Sequence, residues 1–216
     1  MPLVFVSGSD PVRDGLVPNF NHPGGNVTGV VFITSDLAAK RLELLRQLLA
    51  KATVIGALVY PNTPETEAER KQLQEAAKAV GQQLVMLDVK SDADIENAFA
   101  AVTRQSIGAV LMGSGPFLFS KRDQIATSAA QHAVPVMYIT REAVEGGGLI
   151  SYGTSIREAY RQAGLYAGRI IKGQNPGDLP VMQSSKFELV VNLKTAGALG
   201  LTIPQSLIVA ADEVIE

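Results

Sequence analysis

The run Thr53–Tyr60, TVIGALVY, constrains the fold more than any other stretch. It is apolar at nearly every position instead of at alternate ones, so a strand built from it must be covered on both faces. A sheet packed between layers of helices meets that demand. Helical periods stand on either side. From Leu37 to Ala50, Leu42, Leu44, Leu45, Leu48 and Leu49 are separated by Lys40, Arg41, Glu43 and Arg46, a helical spacing. After the strand, Thr63 is placed to cap a helix with Pro64 at its first position, running to about Val80 and stopping at Gly81.

The alternation continues along the chain. Leu3–Val6, Leu84–Val89, Ala109–Met112, Val134–Ile139, Leu149–Tyr152 and Phe187–Asn192 read as strands. Ser91, with Asp94 three residues on, opens one helix, and Ser155 with Glu158 opens another that runs to Lys172 and ends at Gly173. A further helix is expected from about Ser120 to His132, and a short one from Leu193 to Leu199; Pro204-Gln-Ser-Leu then leads into Ile208–Ala211. Gln174–Leu179 is the most linker-like stretch. Repeated β-α order predicts an α/β fold with a doubly wound parallel sheet.

Composition excludes several function classes. At 216 residues the chain can form one large domain or two small lobes, and 46% hydrophobic residues can bury a sizeable core. A net charge of −2 argues against nucleic acid as a partner. There are no cysteines, which removes disulfides, thiolate zinc sites, cysteine nucleophiles and a two-thiol racemase mechanism. No run approaches the roughly 18 apolar residues of a spanning helix. The N-terminus lacks the basic and apolar regions of a signal peptide, so the expectation is either a protein that stays in the cytoplasm or a processed, truncated or mis-started version of a longer chain.

No metalloprotease, serine-hydrolase, P-loop or kinase motif is present. His22 lies in a solvated turn and His132 at a predicted helix end, where the helix dipole alone favours it. No carboxylate cluster has metal-ligand spacing, and no cofactor is expected. Gly146-Gly147-Gly148 precedes a strand and reads as a turn.

What remains are four loops at predicted strand ends: Ser7–Val12, Tyr60–Thr63, Gly113–Phe119 and Ile139–Glu142. In a parallel sheet such loops share the carboxyl edge, where open α/β sheets bind ligands. Their hydroxyls and N–H groups suit a carboxylate. Asp10 or Glu142 suits an ammonium, and Phe117, Phe119, Tyr60 and Tyr138 could form apolar walls. Any one such loop is also explained by the need to turn the chain.

Order and spacing then carry a resemblance. Ser9-Asp10-Pro11-Val12 is followed by Pro23-Gly24-Gly25-Asn26-Val27-Thr28-Gly29-Val30, Leu42–Leu45 and Tyr60-Pro61-Asn62. Later come Ser151-Tyr152-Gly153, a helix with Tyr160, Gly164 and Gly168, then Lys172-Gly173, Pro180-Val181, Val191-Asn192 and Ala198-Leu199-Gly200. Over essentially its whole length the chain resembles the tryptophan/tyrosine-type substrate-binding proteins of ABC transporters, which have the type I periplasmic-binding fold. The resemblance implies two α/β lobes closing on a small solute, usually an amino acid and often aromatic, without chemistry. It implies an ABC permease as partner and an extracytoplasmic location. Carried over, Ser9 and Asp10 become first-lobe contacts, Tyr60, Asn62, Ser114, Phe117 and Thr140 lie on second-lobe loops, and Tyr152 and Gly153 sit near a crossover.

Family members carry a signal and roughly one small lobe before the SDPV strand. The expected layout here is therefore a first-lobe remnant at 1–34, a complete α/β lobe at 35–140, a returning first-lobe segment at 141–185 and a C-terminal extension at 186–216. Apolar positions Ile156, Tyr160, Leu165, Ile170 and Ile171 of the Ser155–Lys172 helix would then be uncovered and drive homo-oligomerisation. A cytoplasmic ligand-sensing module of the same fold is the alternative function, and a small-molecule enzyme a third.

Overall fold

The computed structural model describes residues 1–32 and 37–216. In chain order the elements are β1 (Leu3–Ser7), β2 (Val27–Val31), α1 (Ala38–Leu48), β3 (Val54–Val59), α2 (Pro64–Ala79), β4 (Gln83–Asp88), α3 (Asp92–Arg104) and β5 (Ala109–Met112). They continue with α4 (Pro116–Ser120), α5 (Arg122–Gln131), β6 (Val136–Tyr138), α6 (Arg141–Glu145), β7 (Ile150–Thr154) and α7 (Ile156–Ile171). The tail holds β8 (Met182–Gln183), β9 (Phe187–Asn192), α8 (Leu193–Ala198), α9 (Gln205–Ala210) and β10 (Glu213–Ile215). The chain divides into two compact units, Met1–Ile33 with Thr154–Phe187, and Thr34–Gly153 with Glu188–Glu216.

The larger unit is built on the strand order β10-β9-β7-β6-β5-β3-β4. β3 pairs in parallel with β4 on one side and β5 on the other, and β5–β6, β6–β7 and β9–β10 are also parallel. From Ile55 to Val59 every residue of β3 is buried, as its continuous apolar run requires. Ile55 and Ala57 join the core formed with Leu42 and Leu45 of α1 and Leu73 and Ala77 of α2. Leu58 joins the opposite core, with Phe99 of α3, Ile125 of α5 and Val144 of α6. This is the doubly wound arrangement.

The smaller unit holds the strand order β1-β2-β8, with β1–β2 and β2–β8 parallel. Helix α7 packs on β1 and β2, burying Ala159 and Tyr166, and the Tyr166 hydroxyl donates to the Pro180 carbonyl at 2.7 Å. Val17, Val31 and Val181 form a further core with Phe5, Phe20 and Val27.

Several expectations need correction. The helix expected from Ser120 begins at Pro116, as α4, and resumes after Lys121 as α5. Gly115 at φ 123° and Pro116 at the first helical position start it earlier. Likewise Arg141–Glu142, read as loop, opens α6. Both helices span only five residues, too short to show a period. Gln174–Leu179 is no linker: Asn175 caps a 3-10 turn, Pro176–Asp178, and Leu179 is wholly buried. Residues 141–153 and 188–216 pack with the larger unit, because β7, β9 and β10 extend its sheet. The boundary expected at 34/35 lies outside the described residues.

Candidate functional site

In the larger unit the chain leaves β3 for β4 on one side and then places β5 on the other. The connections therefore diverge between β3 and β5, and a divergence of that kind opens a crevice at the carboxyl edge of an α/β sheet. Tyr60 and Asn62 follow β3 directly, and Ser114 and Phe117 follow β5. The sequence thus delivers four of its candidate residues to one topological position.

Two of them meet. The Tyr60 and Phe117 rings lie with centroids 5.1 Å apart and planes tilted by 42°, a favourable aromatic geometry. Both side chains are half-buried, and Phe117 also packs on the core beneath. Asn62 is exposed at φ 67°, a left-handed conformation that asparagine tolerates better than most residues. Next to it Thr63 caps α2, its hydroxyl accepting from the Thr66 N–H at 3.2 Å.

Ser114 has both of its donors committed. Its N–H and hydroxyl donate to the Glu69 carboxylate at 2.8 and 3.0 Å. Glu69 also accepts from Arg41 at 2.7 Å, with both of those side chains 2% exposed. Burial pulls the Arg41 pKa below the ordinary arginine value, against the pull of Glu69. Gly113 makes room for this contact. A Cβ there would stand 2.6 Å from the Leu58 carbonyl oxygen and 3.3 Å from a Glu69 carboxylate oxygen.

Thr140 is buried at the N-cap of α6, beyond β6, and its side chain makes no capping hydrogen bond. Two residues on, the Oε2 atom of Glu142 is buried without a hydrogen-bond partner. Arg141 points into another cluster. Burial opposes its charge, but hydrogen bonds to Glu145 and Glu213 outweigh burial and hold its pKa above the ordinary value. Tyr152 lies inside β7, not beyond its end, and packs against the core. Tyr138 is a core residue and not a wall of the edge. It is 1% exposed, and burial pushes its hydroxyl pKa up. His132 caps α5 and pairs with the Thr103 hydroxyl at 3.2 Å.

The smaller unit presents its own loop after β1. The Ser9 hydroxyl donates to Asp14 at 2.5 Å, and the Asp10 Oδ1 atom accepts from the N–H groups of Val12 and Arg13 at 2.9 and 3.3 Å. The hydrogen bond from Ser9 holds the Asp14 carboxyl below the usual range. Asp10 keeps its second oxygen outside these contacts.

Two concavities are lined by none of Tyr60, Asn62, Ser114 and Phe117, though Tyr138 lines one of them. One is a groove of about 290 Å³ lined by Glu43, Arg46 and Gln82, and the other a cleft of about 90 Å³ lined by Ala129, Tyr138 and Leu199. Among the described residues no group of acidic, histidine or cysteine side chains could hold a metal ion.

Arg41 and Glu69 carry no signal in a search for motifs. Their positions do carry one. Arg41 falls on the buried stripe of α1 with Ala38, Leu42 and Leu45, and Glu69 on that of α2 with Thr66, Leu73 and Ala77. A charge on each of two consecutive apolar stripes marks a buried pair.

Comparison with known proteins bears on the family and the fold. A tyrosine-binding protein of Clostridioides difficile (strain R20291) is 25% identical over 203 residues, covering 93% of this chain and 57% of that protein. The chain thus spans a little over half the length of that relative. The ABC domain from Streptococcus pneumonia, solved in complex with L-Trp, is 27% identical with a TM-score of 0.81, over 99% of this chain and 73% of that one. A conserved domain protein from Vibrio cholerae O1 biovar eltor is also 27% identical, with a TM-score of 0.82, over 99% and 71% of the two chains. The shared architecture is the type I periplasmic-binding fold. Residues 1–215 match the family described as ABC transporter substrate binding protein, and the chain belongs to that family.

Proposed function

We propose that the chain binds an amino acid with an aromatic side chain and serves, without chemistry, as the solute-binding component of an ABC importer outside the cytoplasmic membrane. The Tyr60–Phe117 pair at the divergence of β3 and β5 carries this reading. Stacked or tilted aromatic faces favour an aromatic ligand over an aliphatic one by a further ~1 kcal/mol each. Relatives that bind tyrosine and tryptophan support the same solute class. Asn62 and Thr140 offer neutral polar contacts. Glu142, with its buried oxygen unpartnered, is the acceptor for the ammonium group.

Calorimetric titration with L-Tyr, L-Trp, L-Phe, L-Ala and L-Glu tests the reading. The expected result is saturable binding of the aromatic solutes alone. Binding of none, or equal binding of L-Ala, overturns it.

The reading extends to self-association. Tyr160, Leu165 and Ile171 of α7 are exposed, and large exposed apolar side chains on one helix favour burial between copies. Sedimentation velocity is expected to show a dimer or higher oligomer. A monomer at micromolar concentration contradicts that part.

A further inference from the structure

Among the described residues, Arg41–Glu69 is the ion pair most completely removed from solvent. Stability does not explain it, because replacing a buried pair by apolar side chains is often neutral or favourable. Its placement does. Glu69 sits on the helix that follows the Tyr60–Asn62 loop, and its carboxylate grips the N–H and hydroxyl of Ser114, where the chain leaves β5. Ser114, Gly115 and Pro116 then lead directly to Phe117, the ring that meets Tyr60. Without Glu69, the first residue of that lead loses its acceptor for both hydrogen bonds.

We propose that Glu69, with Arg41 as its fixed counter-charge, is a positioning residue that holds the Ser114–Phe117 segment against the Tyr60–Asn62 loop and so sets the spacing of the aromatic wall. The inference rests on the reading that these two rings line the solute site. Glu69 need not touch the solute. Its carboxylate takes three protein donors, two at Oε1 and one at Oε2, and it acts through Ser114.

The experiment compares two double variants that both remove the buried charges. Arg41→Met/Glu69→Met leaves Ser114 without an acceptor. Arg41→Met/Glu69→Gln retains an amide oxygen that can accept from the Ser114 N–H. Amide hydrogen exchange, thermal midpoint and affinity for L-Trp are measured on each and on the wild type. Both variants are expected to melt close to one another. In the Met/Met variant the Ser114 amide should exchange at least about tenfold faster than in the wild type, and L-Trp should bind about tenfold more weakly, one lost buried hydrogen bond's worth. The Met/Gln variant should recover both. Equal exchange at Ser114 in the two variants, or acceleration spread evenly over the sheet, overturns the proposal. If Ser114 responds as expected but the wild type ignores L-Trp, the positioning stands and the solute reading fails.

Discussion

A serine at a strand end can offer its hydroxyl to a ligand or spend it on the protein, and Ser114 spends it on Glu69. The sequence places Ser114 at the carboxyl end of β5, but the hydroxyl's direction depends on a carboxylate 45 positions away, whose place only the packing of α2 fixes. Tyr60 and Phe117 were more legible, because bulky aromatics in short polar loops must be covered by something. Gly113 belongs to the same cluster. Gly113→Ala would put a methyl group against the Leu58 carbonyl oxygen, at 2.6 Å before relaxation. Such overpacking is expected to cost about 1–3 kcal/mol, read as a lower urea midpoint, and to weaken solute binding by displacing Ser114. Wild-type stability in that variant would show that the strand end yields freely.

Helix starts follow from local chemistry, and Thr63, Ser91 and Ser155 each accept the expected N–H, from Thr66, Asp94 and Glu158. Three helices escaped notice: α4 and α6 are single turns whose residues double as loop chemistry, and α9 spans only six residues. Within α7 the capping region makes a pH prediction. Hydrogen bonds from Arg161, then Gln162, hold the Glu158 carboxyl down to about 2 from an ordinary 4.5. A carboxyl depressed in the folded state favours folding once it is ionised. That contribution is therefore complete above pH 4.5 and is lost as pH falls toward 2. Glu158 is solvent-accessible, so the effect is modest and screened by salt. Thermal midpoints of the wild type and Glu158→Gln should differ most above pH 5 and converge near pH 2. A difference independent of pH would contradict the assignment.

At the scale of the molecule, the doubly wound sheet was legible because β3 and β5 are apolar on both faces, which only a helix-covered parallel sheet accommodates. The division of the chain was less so. β9 and β10 read as an extension, yet β9 pairs with β7 and β10 with β9 to finish the larger sheet, and strand partnership between distant segments has no local signature. Solute binding is placed at the edge where β3 and β5 diverge in the reading proposed above. The chain has no tryptophan, so light absorbed by indole alone reports only on added L-Trp. The most direct measurement is the emission of L-Trp titrated with the wild type, Tyr60→Ala and Phe117→Ala. The expected result is a saturable blue shift with the wild type, reversed by L-Tyr and weakened about tenfold or more by either substitution. No shift with the wild type, or a shift that both variants reproduce unchanged, would contradict it.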